Sequence, residues 1–482
     1  MTNNLKSNIS FFHLVLPVCI LGVLILYGLI LQPKVFDKPA FPLEVVFLLA
    51  SCFSVAHLLF LGFRWISIQK AIVKKLAKGF PAILILFAIG LVIGTWIISG
   101  TIPMLIFYGI KLIDPSYMYV LAFVIPIIFS TLTGTSWGSV ATIGTVLMGV
   151  AITAEAHLGI TAGAIIGGAY FGDKMSPLSD TTNLAVIASE VSLYGHIKSM
   201  MYTTVPSAIL SLFIYIILGV IYPPLSSGII SNETLVTLLA LESMFNFNPC
   251  LLLPPLVILY GSLKRLATLP TLLASCLIAC VLALSIQNFE LSHLIDTLTT
   301  GFHTNMANWM TEVPSQLEVL FNRGGLYELN EVIVFTLMAL TFIGTLDVTD
   351  AMPTIVLRIF SFTQSKSSLI LATLFSTAVT NGITSNQGAT SFIIGDAFKK
   401  RYDSMKISRK VLSRSIEDYG TMIESLIPWH ATSLFMVATL GVSFSTYWHW
   451  QFLSLINICV APIIAILGIG CFYKNNINKE SL

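Results

Sequence analysis

The stretch GAIIGGAYFGDKMSPLSDTTNLA, Gly163–Ala185, decides how this chain is read. Ile160–Gly172 is apolar, glycine-rich and uncharged; the eleven residues from Asp173 to Asn183 then hold eight polar ones, including Asp173, Lys174 and Asp180. Pro177 sits among them and has no N–H for a helical ladder, and apolar sequence resumes at Leu184. The spacing predicts a helix broken at its polar centre. Hydrophobic residues make up 56% of the chain and charged residues 10%, and mean hydropathy is +0.88. Soluble domains carry about 25% charge. A polar break at bilayer depth survives only where it is buried in protein or faces a wet cavity, and charge there usually marks an ion or substrate path.

Length alone, 482 residues, would suggest several soluble domains, but apolar runs recur along the whole chain and favour one polytopic membrane domain over 1–482. Candidate spans are Phe11–Leu31, Ala40–Phe63, Pro81–Gly100, Thr101–Ile113, Tyr117–Thr131, Ser139–Thr153, Ile160–Phe171, Met201–Tyr222, Leu235–Ala240, Cys250–Leu263, Leu269–Ile286, Glu331–Leu346, Leu369–Ala378, Thr390–Phe398, Gly420–Val442 and Phe452–Tyr473. Several fall short of the ~20 residues of a full crossing. They predict roughly a dozen crossings, with discontinuous helices and re-entrant hairpins near the polar motifs. The first run follows Lys6, is too long for a signal-peptide core, and precedes no small-residue cleavage site.

Arg64–Lys78 carries five basic residues and Lys399–Arg414 seven, and both read as cytoplasmic loops. Two spans separate the chain start from Arg64, so the N-terminus is expected in the cytoplasm as well. The less hydrophobic segment 287–330 reads as an amphipathic hairpin, an external cap or a partner surface. The seven cysteines lie mostly in apolar runs without a C-x-x-C pair, as packing residues do. No basic, aromatic-interleaved patch suggests nucleic acid, and no G-x-x-x-x-G-K-[ST] loop suggests ATP-driven pumping.

The C-terminal half repeats the theme. TLTGTSWGSVATIGTVLMG, Thr131–Gly149, and TAVTNGITSNQGATSFIIG, Thr377–Gly395, are helices interrupted by Gly, Ser, Thr and Asn. A carboxylate-bearing segment with a proline follows each: Gly138 to Pro177 is 39 residues and Gly388 to Pro428 is 40. The turn Thr153–Gly159 has no Lys or Arg, while its counterpart has seven. That asymmetry puts the two turns on opposite sides, as in an inverted repeat with its site at the midplane. The halves are taken as approximately 81–222 and 329–473.

The site candidates are Thr135, Ser136, Asp173, Ser176, Asp180, Thr181 and Asn183 in the first half. Asn381, Ser385, Asn386, Gln387 and Glu424 face them from the second. Carboxylate, hydroxyl, amide and carbonyl oxygens suit a hard cation such as Na⁺. Lys174, Glu417, Asp418 and His430 are candidates for proton or coupling roles. A carboxylate that holds either a proton or Na⁺ would make an exchanger. The runner-up is a Na⁺- or H⁺-coupled carrier of a small organic anion, with Lys174 or a half-helix N-terminus as anchor. A membrane-embedded enzyme would need a nucleophile–base pair that the sequence does not offer, and no cofactor is called for.

Three blocks resemble the NhaC family of sodium/proton antiporters: GTSWG, Gly134–Gly138; GAYFGDKMSPLSDTTNLA, Gly168–Ala185; and LSRSIEDYGT, Leu412–Thr421, with LIPW, Leu426–Trp429, and TLGV, Thr439–Val442. The resemblance implies an all-α inverted-repeat secondary transporter of the bacterial inner membrane. It implies Na⁺ and H⁺ as partners in the bilayer, and a homodimer is allowed as the assembly. Some relatives couple Na⁺ or protons to malate–lactate exchange. Three residues depart from the family pattern: Asn386 stands in place of an aspartate, His430 in place of an asparagine, and Glu424 where a small or polar residue is usual. Glu424 is therefore expected to replace in part the carboxylate missing at 386. A regular helix would set Glu424 and His430 about 240° apart, so they share no face unless the chain unwinds at Pro428, and His430 is expected to act separately.

Overall fold

The computed structural model describes residues 9–224, 232–264, 266–310, 312–359 and 363–473; Lys6 lies outside them. Every extended element among them is helical, apart from two isolated bridges. The elements are α1 (Phe11–Ile25, continued by a π-helical turn to Leu31), α2 (Leu43–Phe60), α3 (Trp65–Ile98), α4 (Thr101–Leu112), α5 (Met118–Thr133), α6 (Ser136–Thr153), α7 (Leu158–Met175), α8 (Asp180–Ser189) and α9 (Leu193–Ile221). After them come α10 (Asn232–Met244), α11 (Leu253–Leu263), α12 (Thr268–Ile286), α13 (Leu291–Thr300), α14 (Asn330–Asp347), α15 (Ala351–Ile359), α16 (Lys366–Thr384), α17 (Gln387–Ser404), α18 (Arg409–Tyr419), α19 (Ala431–Leu440) and α20 (Phe452–Leu467).

Nine helices among the described residues are long and apolar enough to cross a membrane, or eleven if two bent pairs each count as one crossing. Two expectations change. Arg64–Lys78 is no loop but the start of α3, a 34-residue helix with Pro81 inside it. At 1.5 Å per residue it is about 51 Å long, well beyond a ~30 Å hydrocarbon core, so its lysine-rich turns project from one face. Gly420–Val442 is not a single crossing: a 3₁₀ turn at Thr421–Leu426 and an irregular stretch precede α19. The nine to eleven candidate crossings agree with the rough dozen expected.

The helix pairs α5–α6 and α16–α17 are hairpins. Tyr119 Oη, near the start of α5, accepts from His157 N, just past α6, at 3.0 Å, so both ends of that hairpin lie at one face. Arg401 Nη2, near the end of α17, donates to Thr363 O, just before α16, at 2.7 Å. The two faces are opposite ones. Helix α9 starts beside Lys410, where a Cβ on Gly195 would meet the lysine stem at 2.6 Å, and ends at Tyr222, whose carbonyl accepts from Tyr119 Oη at 2.9 Å. Its 29 residues cover about 43 Å. One face therefore carries Lys75, Lys399 and Arg409 (the basic face), and the other the Tyr119–Tyr222 end.

Tertiary packing crosses these units. Helix α7 packs on α5, and α18 on α16. Trp137, on α6, stacks on Phe435 of α19 with ring centroids 4.5 Å apart. Gly395, on α17, lies so close to α8 that a Cβ would meet Ala188 O at 2.6 Å. Outside this centre α14 packs on α2 and α3, and α12 on α3. The described residues of segment 287–330 form a cap seated on α3 at the face opposite the basic one: Gly325 N donates to Gly90 O at 2.8 Å.

Candidate functional site

The tips of both hairpins meet the breaks of both discontinuous helices. Helix α5 ends at Gly134, whose φ of +71° is left-handed, and a Cβ there would strike Leu178 at 2.6 Å. Glycine is thus required twice over. Ser176 Oγ ties the adjoining break to Thr131 O at 2.8 Å. Helix α16 ends at Ser385, also left-handed at φ +49°, and Ser385 Oγ accepts from Ala431 N at 2.8 Å.

The two tips match in detail, at a constant offset of 251 residues. Thr133 and Ser139 hydroxyls lie 3.2 Å apart, as Thr384 and Thr390 hydroxyls do at 2.9 Å. Thr135 caps α6 by accepting from Gly138 N, and Asn386 caps α17 by accepting from Ala389 N. Ser130 Oγ donates to Ala169 O, and Asn381 Nδ2 donates to Gly420 O. Ser179 and His430 are the N-caps of α8 and α19. Pro177 falls on Pro428. The spacing of 40 read from Gly388 is one too many, because the partner of Gly138 is Ala389. By the same offset Asp173 falls on Glu424.

A cavity of about 920 Å³ connects these parts. Thr135, Ser136, Asp173, Asp180, Thr181, Asn183, Ser385, Asn386, Gln387, Glu424 and His430 line it, and Lys75, Lys78, Asp347 and Asp350 extend it toward the basic face. Among the described residues, none that lines it comes from segment 287–330 or from the Thr153–Gly159 turn. The cavity therefore opens on one face.

Asp173 Oδ2 accepts from Ser136 Oγ at 2.7 Å. Glu424 Oε2 accepts from Thr432 Oγ1 at 2.8 Å, and its Oε1 faces Asn381 Nδ2 at 3.5 Å. His430 Nε2 stands 3.9 Å from Glu424 Oε1. The two meet because residues 427–430 are unwound at Pro428, so the separation that a regular helix would impose does not apply. His430 Nδ1 accepts from Thr432 N at 3.1 Å, so the imidazole is held from the backbone and turns Nε2 to the site. Asp180 is not the cap of α8, since Ser179 Oγ receives Thr182 N at 3.3 Å. Its carboxylate is left for the cavity.

Five of the expected site residues do not line the cavity. Ser176 and Asn381 brace its walls from behind. Lys174 is fully buried and ion-paired with Asp418, not with Asp173 or Asp180. Asp418 also accepts from Thr203 Oγ1 at 2.9 Å and Asn457 Nδ2 at 3.3 Å, with Arg414 Nε 3.9 Å away. Glu417 Oε2 accepts from Thr421 Oγ1 at 2.7 Å, and Oε1 has no hydrogen-bond partner among the described residues. Among the described residues no three His, Cys, Asp or Glu side chains converge as a metal cluster. The oxygens offered are those of single carboxylates with hydroxyls, amides and tip carbonyls.

Sequence reasoning missed Thr432, which holds Glu424, and the paired hydroxyls Thr133–Ser139 and Thr384–Thr390. The signal was present: Thr432 stands 251 residues after Thr181.

The sequence pattern of the Na⁺/H⁺ antiporter family matches residues 168–469. An uncharacterized Na⁺/H⁺ antiporter of Haemophilus influenzae is 42% identical over 94% of this chain and 95% of its own. The Na⁺/H⁺ antiporter NhaC of Bacillus subtilis is 34% identical over 89% and 92%. The malate-2H⁺/Na⁺-lactate antiporter of Bacillus subtilis is 31% identical over 87% and 88%. With a family pattern across more than half its length and relatives matched nearly end to end, this multi-pass membrane protein belongs to the Na⁺/H⁺ antiporter family.

Proposed function

We propose that this chain exchanges Na⁺ for H⁺ across the bacterial inner membrane by alternating access. The observation that carries the reading is the pairing of Asp173 with Glu424, two carboxylates at equivalent places in one cavity that opens on a single face. Each can bind a cation or a proton, and neither has a permanent cationic partner. Residues 81–222 and 329–473 act as inverted halves, supported by hairpins that enter from opposite faces and by the constant offset between their tips. The basic face is cytoplasmic, supported by the positive-inside rule, and the N-terminus shares that side. Sodium would be held by carboxylate and hydroxyl oxygens with carbonyls at the unwound tips. A proton on the same carboxylate excludes it, and that competition couples the two fluxes.

The organic-anion reading loses Lys174 as its anchor and keeps only the half-helix N-termini at the breaks. Lys174 is committed to Asp418 and lies outside the cavity. Its other support is the relative named for malate and lactate. Purified protein in liposomes with an internal pH dye separates the readings. Imposed Na⁺ gradients should drive proton movement without organic acids. Flux that appears only with malate or lactate would overturn the exchange reading.

A further inference from the structure

Helix α19 is held at both ends. Its N-terminal end carries His430 and Thr432 at the cavity. Its C-terminal end, about 14 Å away at 1.5 Å per residue, leaves its last carbonyls without helical partners. Arg323 supplies them: Nη2 donates to Ala438 O at 2.9 Å and to Thr439 O at 2.6 Å. A cation at a helix C-terminus is also favoured by the helix dipole.

Arg323 is itself anchored to a different body. Its backbone exchanges hydrogen bonds with Phe302, at 3.0 and 3.1 Å. Glu328 Oε1 lies 3.5 Å from its Nε, while Glu328 Oε2 accepts from Gly324 N at 3.0 Å. The next residues have no room to shift. A Cβ on Gly94 of α3 would meet Gly325 N at 2.9 Å, and one on Gly324 would meet Gly94 Cα at 2.4 Å. Arg323 thus bridges a cap locked onto α3 to the far end of the helix that positions Glu424's partners. It does so on the face where the cavity is closed.

We propose that Arg323 is a positioning residue for exchange: it clamps α19 to the outer cap while the cavity is open to the basic face, and releases α19 when the cavity opens to the other face. This rests on the alternating-access reading above. The chemistry suits a reversible contact, because charge-assisted bonds to helix-end carbonyls can be exchanged for water at that face.

The test uses the full chain in a cysteine-depleted background with Thr336→Cys, a residue that lines the cavity and has no part in holding the ion. An impermeant thiol reagent is added to either side of oriented vesicles. With Arg323 intact, labelling should come from the basic face. In Arg323→Gln the ratio of opposite-face to basic-face labelling should rise roughly tenfold, the worth of a charge-assisted hydrogen bond spent on a two-state equilibrium. Arg323→Lys should give an intermediate ratio, since an ammonium still donates but lacks the planar fork. The Na⁺ KM should stay within about twofold, because the clamp touches no ion ligand directly. An unchanged ratio in Arg323→Gln overturns the proposal, and so does an equal rise from both sides, which would mean general loosening. Absence of Na⁺/H⁺ flux in the unsubstituted protein would instead overturn the functional reading, and the labelling ratio would still be measured.

Discussion

Asp173 and Glu424 occupy the same place in two copies of one local structure, 251 residues apart, each accepting a hydroxyl proton: Ser136 Oγ at 2.7 Å and Thr432 Oγ1 at 2.8 Å. In the first copy the hydroxyl comes from the hairpin tip. In the second it comes from the first turn of α19. The carboxylates match, while the groups that hold them do not.

Both carboxylates should therefore be needed. Asp173→Asn and Glu424→Gln should each lower Na⁺-driven proton flux more than about tenfold, with normal amounts of protein in the membrane. Wild-type flux in Glu424→Gln would confine the ion site to the first half.

Asn386→Asp should not rescue Glu424→Gln. Asn386 spends its amide oxygen on Ala389 N at 2.8 Å, and an aspartate caps equally well. The new charge would serve the cap, while Glu424 fills the place equivalent to Asp173. Restored flux in the double variant, measured against Na⁺ concentration, would reinstate direct compensation between 386 and 424.

His430→Asn tests the shared site. Asparagine preserves an N-cap for α19 but removes the Nε2 that stands 3.9 Å from Glu424. The expected result is a Na⁺ KM several-fold altered, with protein yield unchanged. A shifted pH profile at constant Na⁺ KM would return His430 to the separate role that a regular helix implied.

The Lys174–Asp418 pair should be structural first. Both side chains are buried, so Lys174→Met strands a carboxylate at a cost of about 3–5 kcal/mol. Yield and thermal stability in detergent should drop sharply, and Lys174→Met/Asp418→Asn should recover part of both. A stable Lys174→Met protein would show that the pair does not hold α7 to α18.

On the basic face, Glu190 accepts from Lys399 Nζ at 3.0 Å and pairs with Arg409. These hydrogen bonds hold its carboxyl below the ordinary range. A depressed folded-state pKa contributes stability above the unfolded value, and that contribution fades as pH falls through the lowered one. Melting temperatures of wild type and Glu190→Gln should differ modestly at neutral pH, since the pair is exposed, and converge as pH falls through the lowered carboxyl range of Glu190. A gap that widens on acidification would contradict this.

The sequence by itself determined that the chain is a polytopic membrane protein with polar breaks at Gly134–Ser136, within Asp173–Asn183 and at Gly382–Ser385. Hydropathy and the glycine, proline and hydroxyl punctuation act locally, so one strand of text carries them. It also showed the opposed charge of the two turns. It could not show which polar residues face the cavity. Lys174 adjoins Asp173 in sequence, yet its ammonium is captured by Asp418 from α18, because a buried charge takes the nearest opposite charge in space. Glu424 and His430 share one site only because residues 427–430 leave the helix, a choice made by packing against Ser385 and the tip of α16. The one-residue slip between Gly388 and Ala389 hid the equivalence of Asp173 and Glu424. Tertiary contacts between hydroxyls, Thr133 with Ser139 and Thr384 with Thr390, fixed that register where residue identity had been lost.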